Sequence, residues 1–304
     1  MTELLQKIID EGRPYADLGE VATYIPELAH ADRSSIGIAI TDGSGNTYTA
    51  ADSGAQFTMQ SIVKPVILLL ALMDNGFERV RSLVGVEATG KPFDSFNYSD
   101  LALTGDHINP MVNTGAIALC SLIAGDSYDQ KLERLLSLVK KLAGNENISV
   151  CQRVYLSEKA TGNKNRALAY LLKAYGLIDC DAEAVVDLYF KACSISVSCE
   201  DLSKIGYTFA AHGLTPKGER VFPESYARYV NAMLTICGMY DGSGEFALNV
   251  GIPAKSGVGG GIMAAVPGKM GIGVFSPALN KKGNSVAGLY MLEKLSEELG
   301  LSIF

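Results

Sequence analysis

Short apolar runs of the length of β-strands lie near both ends of the chain. Near the start, SSIGIAI (34–40) and NTYTA (46–50) flank the turn residues TDGSG, and near the end GIMAAV (261–266) and MGIGVFS (270–276) flank PGK. Short runs on either side of glycine-rich turns are typical of β-hairpins. The two ends of the chain are therefore predicted to contribute strands to an antiparallel sheet.

Between the two hairpins, and again after the second one, apolar residues recur at every third or fourth position, which is the spacing of amphipathic helices. The pattern predicts helices in the run after Ser61 and in NTGAIALCSLIAG (113–125), YDQKLERLLSLVKKLAG (128–144), NKNRALAYLLKAYG (163–176), DAEAVVDLYFKA (181–192), CEDLSKIGYTFAAHG (199–213), PESYARYVNAMLTICG (223–238) and NSVAGLYMLEKLSEELG (284–300).

This order of elements predicts an α+β fold, in which a sheet built from both chain ends carries an inserted helical region. We expect a discontinuous sheet domain of residues 1–63 and 190–304 and an all-helical domain of residues 64–189. Small-molecule sites commonly lie where two such regions meet. Ser61 falls at this junction.

Composition narrows the class of protein. The chain has 304 residues, of which 48% are hydrophobic and 19% charged, enough for one large domain or two interlocked ones. The net charge of −7 argues against nucleic acid as a partner, because proteins that bind the phosphate backbone usually carry a basic stripe. The start, MTELLQKIIDEGRPY, resembles no signal peptide, and PVILLLALM is too short to span a bilayer. We expect a cytoplasmic protein without a membrane anchor.

Cysteine and histidine give no metal or triad signature. The six cysteines include no C-x-x-C pair and have no histidine at a ligand-like spacing, so zinc and thioredoxin-like sites are unsupported. We expect these thiols to be reduced and mostly buried. The histidines, His30, His107 and His212, lie in no context that suggests a base. If Ser61 is a nucleophile, a group other than histidine should activate it.

The stretch QSIVKPVILLL (60–70) places Ser61 three residues before Lys64, a spacing that the chain repeats at Ser137 and Lys140. Spacing alone therefore does not identify a nucleophile. Pro65 is tolerated only near the start of a helix, so it places a helix start near Ser61, whereas Ser137 lies in the middle of a predicted helix. Because Lys64 precedes proline, we expect an irregular first turn.

Two explanations of Ser61 and Lys64 fit this local sequence. Residues three apart share a helical face, so the Lys64 amine can reach the Ser61 hydroxyl, and a desolvated lysine loses its proton more readily. That arrangement would form a serine–lysine nucleophile pair. In the alternative, Ser61 caps the helix and Lys64 extends its amine to water.

The stretch AKSGVGGGI (254–262) contains four glycines in five positions and runs into a predicted strand. Such glycines allow a close backbone approach, and N–H groups there could form half of an oxyanion hole. The stretch matches neither a Walker loop nor G-x-G-x-x-G. Ser-x-x-Lys near a first helix followed by a late Lys-Ser-Gly is instead the pattern of serine–lysine acyl enzymes such as β-lactamases and penicillin-binding proteins.

A closer resemblance extends over nearly the whole chain. The sequence resembles the serine-dependent glutaminases of the bacterial and animal type, a branch of the β-lactamase-like fold. Thr114 and Lys164 stand where the family usually has alanine and arginine. The resemblance is carried by GEVATYIPELA (19–29), QSIVKP (60–65), NPMVNTGAI (109–117), VYLSEKATGNKNRA (154–167), YFKACSISVSCEDL (189–202), CGMYDGSGEFA (237–247), PAKSGVGGGI (253–262) and SPALNKKGNS (276–285).

The resemblance implies hydrolysis of L-glutamine to L-glutamate and ammonia through a glutamyl-serine ester, without a metal or organic cofactor. It implies that Ser61 is the nucleophile, that Lys64 takes its proton, that the backbone N–H groups of Ser61 and Val258 bind the oxyanion, and that Tyr240 relays a proton. The residues implied to hold the ends of the substrate are Tyr24, Gln60, Asn113, Glu158, Asn165 and Tyr189. Relatives of this kind are commonly oligomeric, so a homodimer or homotetramer is expected.

Each of these residues also has a purely structural explanation. Tyr189 could be a core aromatic, Tyr24 could pack a turn, Asn113 is a natural N-cap, and Glu158 and Asn165 could be a surface acid and a cap. Their joint occurrence in matched order favours the site.

The alternatives for the whole protein are a β-lactam or D-Ala-D-Ala serine hydrolase of the same fold and a catalytically silent glutamine-binding protein. YSD at 98–100 continues with leucine instead of forming S-D-N, which argues against the first. The presence of both Ser61 and Lys64 argues against the second.

Overall fold

A computed structural model describes residues 1–88 and 108–304. Its main feature is a five-stranded antiparallel sheet in the order β3-β2-β8-β7-β6, accompanied by the two-stranded pairs β1-β9 and β4-β5. The strands are β1 (Glu20–Val21), β2 (Gly37–Asp42), β3 (Thr47–Ala51), β4 (Phe57–Thr58), β5 (Ser196–Val197), β6 (Ala254–Ser256), β7 (Gly261–Val266), β8 (Met270–Phe275) and β9 (Ala278–Leu279).

Both predicted hairpins are present. In the first, Thr41 lies opposite Thr47, and in the second, Val266 lies opposite Met270. The hairpins join side by side, because β2 pairs with β8 along its whole length, from Gly37 opposite Phe275 to Asp42 opposite Met270. The sheet is thus assembled from the two ends of the chain, as the sequence pattern predicts.

The eight predicted helices are also present among the described residues, together with three that the sequence pattern did not predict, α1, α5 and α10. In chain order the helices are α1 (Thr2–Gly12), α2 (Lys64–Arg81), α3 (Asn113–Ser121), α4 (Tyr128–Ala143), α5 (Gln152–Thr161), α6 (Asn163–Ala174), α7 (Ala182–Cys193), α8 (Cys199–Ala210), α9 (Glu224–Cys237), α10 (Ser243–Asn249) and α11 (Val286–Leu299). The α+β fold, an antiparallel sheet flanked by helices, is confirmed.

The alternation of residue types in MGIGVF decides what packs on each face of the sheet. Successive side chains in a strand point to opposite faces, so Ile272 and Val274 face a core shared with α1 and α11. Gly271 and Gly273 face α8: a Cβ atom on Gly271 would lie 1.9 Å from the Tyr207 nitrogen, and one on Gly273 would lie 2.2 Å from the Cys199 oxygen. The glycines therefore let α8 lie directly on the sheet.

Helix α2 belongs to a larger core formed with helices α3 to α9 and with residues of the sheet. Val66, Ile67, Leu68 and Leu69 are fully buried, and burial of each such side chain contributes about 1.5–3 kcal/mol relative to exposure. The segment Gln60–Arg81 is long and apolar enough to cross a membrane, but 72% of its most apolar window is buried inside the protein. Its apolar side chains therefore pack mainly in the protein core.

The chain enters α2 through a 3₁₀ turn, Gln60–Val63, with Pro65 in the first turn of the α-helix. The irregular start that the Lys-Pro sequence predicts is therefore present. Lys64, the residue that precedes the proline, has helical angles, φ −56° and ψ −44°. The irregular geometry therefore lies in the 3₁₀ turn before Lys64 and not at Lys64 itself. As a result, Ser61 lies in the tight turn that leads into the helix.

Candidate active site

A cavity of about 430 Å³ opens beside Ser61, between the start of α2 and the corner where α5 meets α6. Seven of the residues predicted to contact substrate line it: Tyr24, Gln60, Ser61, Asn113, Glu158, Asn165 and Tyr189. Tyr240 and Val258 are not among the lining residues, and both are buried next to the cavity. The volume falls within the range of about 300–1,000 Å³ that is usual for small-molecule sites.

Ser61 and Lys64 form a hydrogen-bonded pair. The Lys64 Nζ lies 3.0 Å from the Ser61 Oγ, and it donates to the Asn113 Oδ1 at 2.7 Å. Ser61 is 7% exposed and Lys64 fully buried. The 3₁₀ turn places both side chains on one side of the chain, so the lysine amine faces the serine hydroxyl. The structural alternative, a lysine that extends to water, is wrong.

Asn113 connects Lys64 to the cavity wall. Its Oδ1 accepts from Lys64 and from the Tyr189 hydroxyl at 3.2 Å, while its Nδ2 donates to the Asn165 Oδ1 at 3.0 Å. Asn113 is the first residue of α3, and Val112 occupies the N-cap position. The structural alternative for Asn113, an N-cap, is therefore wrong, and its side chain lines the cavity instead.

Burial shifts the pKa of the two charged groups nearest Ser61 in opposite directions. Desolvation lowers the pKa of Lys64 to about 8, an effect that the nearby Cys193 and Glu158 partly oppose. Desolvation raises the pKa of Glu158 to about 8, partly opposed by Lys64. Burial disfavours the charged form of either group. Near neutral pH, Lys64 thus gives up its proton, and Glu158 takes one, far more readily than either group would in water.

Glu158 lies in the last turn of α5, four residues before the break at Gly162 that separates α5 from α6. It is 5% exposed, and its Oε2 atom has no hydrogen-bond partner. A buried carboxyl oxygen without a partner is costly, so this atom is suited to receive a donor from a bound molecule. The structural alternative for Glu158, a surface acid, is therefore wrong.

A network outside the cavity fixes the helix that carries Glu158. The Asp187 carboxylate on α7 accepts from the Tyr155 hydroxyl at 2.7 Å, from the Lys159 Nζ at 2.5 Å and from the Tyr128 hydroxyl at 2.5 Å. Tyr155 and Lys159 flank Glu158 on α5. These bonds tie α5 to α4 and α7, which holds the Glu158 backbone in place.

The glycine-rich stretch brings Val258 against the Ser61 turn. A Cβ atom on Gly257 would lie 2.6 Å from the Met59 oxygen, and one on Gly259 would lie 2.8 Å from the Thr58 oxygen. Only glycine permits this approach. The glycines therefore allow the stretch around Val258 to lie in close contact with the segment just before Ser61.

Tyr240 completes this side of the site. Burial raises the pKa of its hydroxyl, while the nearby Ser61 side chain and Val258 backbone act in the opposite direction. Tyr240 has φ +53°, and Gln60 has φ +48°. Non-glycine residues rarely adopt this left-handed region, and such strain concentrates at functional sites. The tyrosine hydroxyl, the serine and the Val258 amide are thus brought together.

The second Ser-x-x-Lys match lies elsewhere. Ser137 is exposed on α4, and its hydroxyl donates to the Glu133 carboxylate at 3.0 Å. His107 and the YSD stretch at 98–100 lie outside the described residues. All six cysteines are free; Cys120, Cys193 and Cys199 are buried, and the other three are partly buried.

Two groups at the site were not predicted from the sequence. Cys193 lines the cavity; it lies four residues after Tyr189, so a shared helical face was a readable signal. Lys255 is fully buried beside Tyr240; it belongs to the Lys-Ser-Gly motif, but the motif alone does not reveal its contacts. Lys164, one of the departures from the family pattern, also lines the cavity.

Comparison with known proteins agrees with the geometry. The family model for glutaminases matches residues 19–304. Curated glutaminases from Clostridium tetani and Clostridioides difficile are each 52% identical to this chain, the first over the full length of both chains and the second over 99% of this chain and 98% of the relative.

Solved structures give the same result. A probable glutaminase, ybaS, superposes with a TM-score of 0.93 at 39% sequence identity, and the match covers 100% of this chain and 99% of the ybaS chain. A probable glutaminase from Bacillus subtilis, complexed with 6-diazo-5-oxo-L-norleucine, superposes with a TM-score of 0.91 at 37% identity, covering 100% and 97%. The chain therefore belongs to the glutaminase family.

Proposed function

We propose that this chain hydrolyses L-glutamine to L-glutamate and ammonia through a glutamyl ester on Ser61. The observation that carries the proposal is the Ser61–Lys64 pair, with 3.0 Å between Oγ and Nζ, on the wall of a cavity that also presents Glu158. Family membership supports the reaction, and the geometry supports the mechanism.

In the acylation half-reaction, the neutral Lys64 amine accepts the Ser61 proton while the Oγ attacks the carboxamide carbon. The resulting oxyanion is bound by the backbone N–H groups of Ser61 and Val258. Ammonia leaves with a proton relayed through Tyr240 or Lys64, which leaves the glutamyl ester. Water then attacks the ester carbon and gives up a proton to the same groups; as the ester bond breaks, they pass a proton to the Ser61 Oγ, and L-glutamate is released.

The carboxamide explains why the site contains these three elements. An amide is a weak electrophile with a poor leaving group, so its hydrolysis needs an activated nucleophile, an oxyanion hole and a proton donor for ammonia. Lys64, the Val258 loop and Tyr240 are candidates for these roles. Buried Tyr240 stays protonated near neutral pH, since burial raises its pKa, and so retains a proton to donate.

The rest of the cavity suits the two charged ends of a free amino acid. Glu158 would bind the substrate ammonium, because its unpartnered Oε2 atom accepts a donor. The carboxylate and the side chain of the substrate would be bound from the facing walls, by Asn165, Tyr189, Asn113, Gln60 and Tyr24. Tyr24 is 58% exposed and is therefore placed to cover the mouth of the cavity.

A side-by-side assay tests the proposal. Ammonia release from L-glutamine is expected to exceed release from L-asparagine by a large factor, because the shorter side chain does not bring its carboxamide to Ser61 while its charged ends are bound. No turnover of a chromogenic cephalosporin is expected. Cephalosporin hydrolysis without glutamine hydrolysis would show that the chain is a β-lactam hydrolase instead.

Glu158→Gln should lower kcat/KM for L-glutamine about 10- to 100-fold, because a hydrogen bond to a charged group contributes about 1.5–3 kcal/mol. N-acetyl-L-glutamine should be a poor substrate of the native enzyme, because acetylation removes the ammonium. Initial rates at limiting and saturating substrate measure both effects.

The matched control is Glu183→Gln. Glu183 lies on neighbouring α7 and faces Arg166 at the surface, at 3.4 Å, so its removal should leave kcat/KM unchanged. If Glu158→Gln behaves like Glu183→Gln and the acetylated substrate reacts normally, Glu158 does not read the ammonium.

Three further predictions belong to this proposal. The division into a sheet domain (1–63 and 190–304) and a helical domain (64–189) remains a prediction, and the apolar cluster around α2 extends across that boundary to Ala39, Met263 and Phe275 of the sheet. A homodimer or homotetramer remains a prediction that rests on the resemblance to the family, and a cytoplasmic location remains a prediction from the sequence.

A further inference from the structure

The short turn that presents the Tyr240 hydroxyl has a strained backbone. Tyr240 begins a 3₁₀ turn that ends at Gly242, and its φ of +53° lies in the left-handed region. A non-glycine residue persists in that region only where its surroundings hold it there. The ring packs in an apolar cluster that includes Val258, but apolar contacts are non-directional. Hydrogen bonds to the turn should therefore decide where the hydroxyl lies.

Asn284 is a buried residue whose amide bonds the residue directly before Tyr240. It is 1% exposed, and its Nδ2 donates to the Met239 oxygen at 3.1 Å. The same oxygen accepts from the Gly242 nitrogen at 3.0 Å, within the turn. Because a carbonyl oxygen can only accept, the contact fixes which way the Asn284 amide is oriented. Asn284 thus ties the start of the turn to a separate segment of the chain.

The other end of the Asn284 amide makes the residue energetically costly. Its Oδ1 is buried and has no hydrogen-bond partner in the part of the chain that the structure describes. A buried acceptor without a partner destabilises the folded state, and a leucine of nearly the same shape would avoid that cost. The donor bond to Met239 is therefore the stabilising contact that an asparagine, and not a leucine, provides at this position.

The loop that carries Asn284 is closed by its own hydrogen bonds and lies against the Tyr240 ring. The Asn280 Oδ1 accepts from the backbone nitrogens of Lys282, at 2.9 Å, and of Asn284, at 3.1 Å. Gly283 has φ +85°, and a Cβ atom there would lie 3.6 Å from the Tyr240 ring. A well-defined loop thus presents Asn284 to the turn and Gly283 to the ring.

Ser243 supports the turn locally, whereas Asn284 supports it from a distance. The Ser243 Oγ accepts from the Met239 nitrogen at 3.1 Å and donates to the Tyr240 oxygen at 2.8 Å. Because Ser243 continues directly from the turn into α10, it moves with the turn. Asn284 is 45 residues away from Met239 along the chain. It therefore fixes the turn relative to the rest of the protein.

We propose that Asn284 is a positioning residue for Tyr240, whose hydrogen bond to the Met239 oxygen holds the strained turn so that the tyrosine hydroxyl stays beside Ser61. The inference rests on the proposed role of Tyr240 as a proton relay and extends it. A relay must lie within hydrogen-bond reach of the groups it serves, and a misplacement of about 1 Å can lower the rate about 10²-fold. Glu158, the proposed ammonium site, lies on α5, so loss of the Asn284 bond should change kcat and leave KM.

The test is a double-mutant cycle on kcat for L-glutamine. Asn284→Leu should lower kcat about tenfold and leave KM within about twofold, and Tyr240→Phe should lower kcat about 10²-fold or more. In Tyr240→Phe, the added Asn284→Leu should change kcat less than about twofold, because the hydroxyl that Asn284 positions is already gone. Asn249→Leu is the matched control, since Asn249 is an exposed asparagine that lines the same small cavity behind the turn, and it should keep the native kcat.

A substrate-free measurement follows the ring itself. In protein labelled with fluorotyrosine, the ¹⁹F resonance of Tyr240 is identified by its loss in Tyr240→Phe. Asn284→Leu should shift this resonance, and Asn249→Leu should not. Asn284→Ala, which only removes atoms, replaces Asn284→Leu in both measurements if the leucine variant does not fold.

A native kcat in a folded Asn284 variant would overturn the proposal, as would an unshifted Tyr240 resonance or a further tenfold loss of kcat in the Tyr240→Phe background. Absence of L-glutamine hydrolysis by the native protein would instead reject the proposed function. The Tyr240 resonance would then decide by itself whether Asn284 positions the ring.

Discussion

Ser61→Ala is expected to lower kcat for L-glutamine by about 10⁴-fold or more, because removal of a nucleophile leaves only the binding and oxyanion contributions to the rate. The substitution removes one hydroxyl at a 7% exposed position, so the cost in unfolding free energy should stay near about 1 kcal/mol, that of one hydrogen bond. The measurement is ammonia release together with the mass of the acyl-enzyme, which should be absent.

Ser137→Ala is the matched control for Ser61→Ala. Ser137 has the same spacing to a lysine, but it is exposed on α4 and bonds Glu133. Its removal should leave kcat and the acyl-enzyme mass unchanged. Equal activity in the two variants would show that Ser61 is not the nucleophile.

Lys64→Met should lower kcat about 10²- to 10⁴-fold, the usual contribution of a general base. In the native enzyme, activity should rise with pH. The lowered pKa of Lys64, about 8, means that the amine is protonated and inactive below that pH and neutral and active above it. At saturating substrate, Glu158 is expected to be paired with the ammonium, so the acid limb of kcat reports Lys64. In kcat/KM, Glu158 contributes as well, because its pKa in the free enzyme is also about 8, and the limb should be steeper.

Two variants separate the role of Lys64 as a base from its role as a contact. Lys64→Arg keeps a positive charge and donors toward Asn113 but cannot lose its proton in this pH range, so it should be as inactive as Lys64→Met. Lys140→Met, in the second Ser-x-x-Lys match, should behave like the native enzyme. A native kcat that stays flat from mildly acidic to alkaline pH, with chemistry rate-limiting, would contradict the assignment.

The fold could be predicted largely from local pattern. The two hairpins follow from short strands with turn residues between them, and the alternation of glycine with Ile272 and Val274 fixes which face of β8 is apolar. Eight of the helices follow from the recurrence of apolar residues at every third or fourth position, whereas α1, α5 and α10 were not predicted. These signals are local in sequence, so they survive without knowledge of tertiary contacts.

The candidate site depended more on tertiary contacts. Spacing could not distinguish Ser61 from Ser137; burial does, because Lys64 is enclosed whereas Ser137 is exposed. The local sequence around Asn113 is compatible with an N-cap. Its hydrogen bonds to Lys64 and Asn165, however, join residues about 50 positions apart in the sequence. The contacts of Lys255 with Gly238 and Tyr240 likewise bridge different elements. No local pattern encodes such contacts.

The pairing of β2 with β8 has a consequence for synthesis of the chain on the ribosome. Ser61 is made early, whereas its partner loop at Val258 follows about 200 residues later, on the order of 10–40 s at about 5–20 residues per second. Until β8 is synthesised, β2 can pair only with β3. The apolar side chains of α2 likewise stay exposed until the later helices that pack against them have been made. A nascent chain therefore holds an incomplete site for most of its synthesis, and a chain terminated before Val258 would lack that amide for the oxyanion.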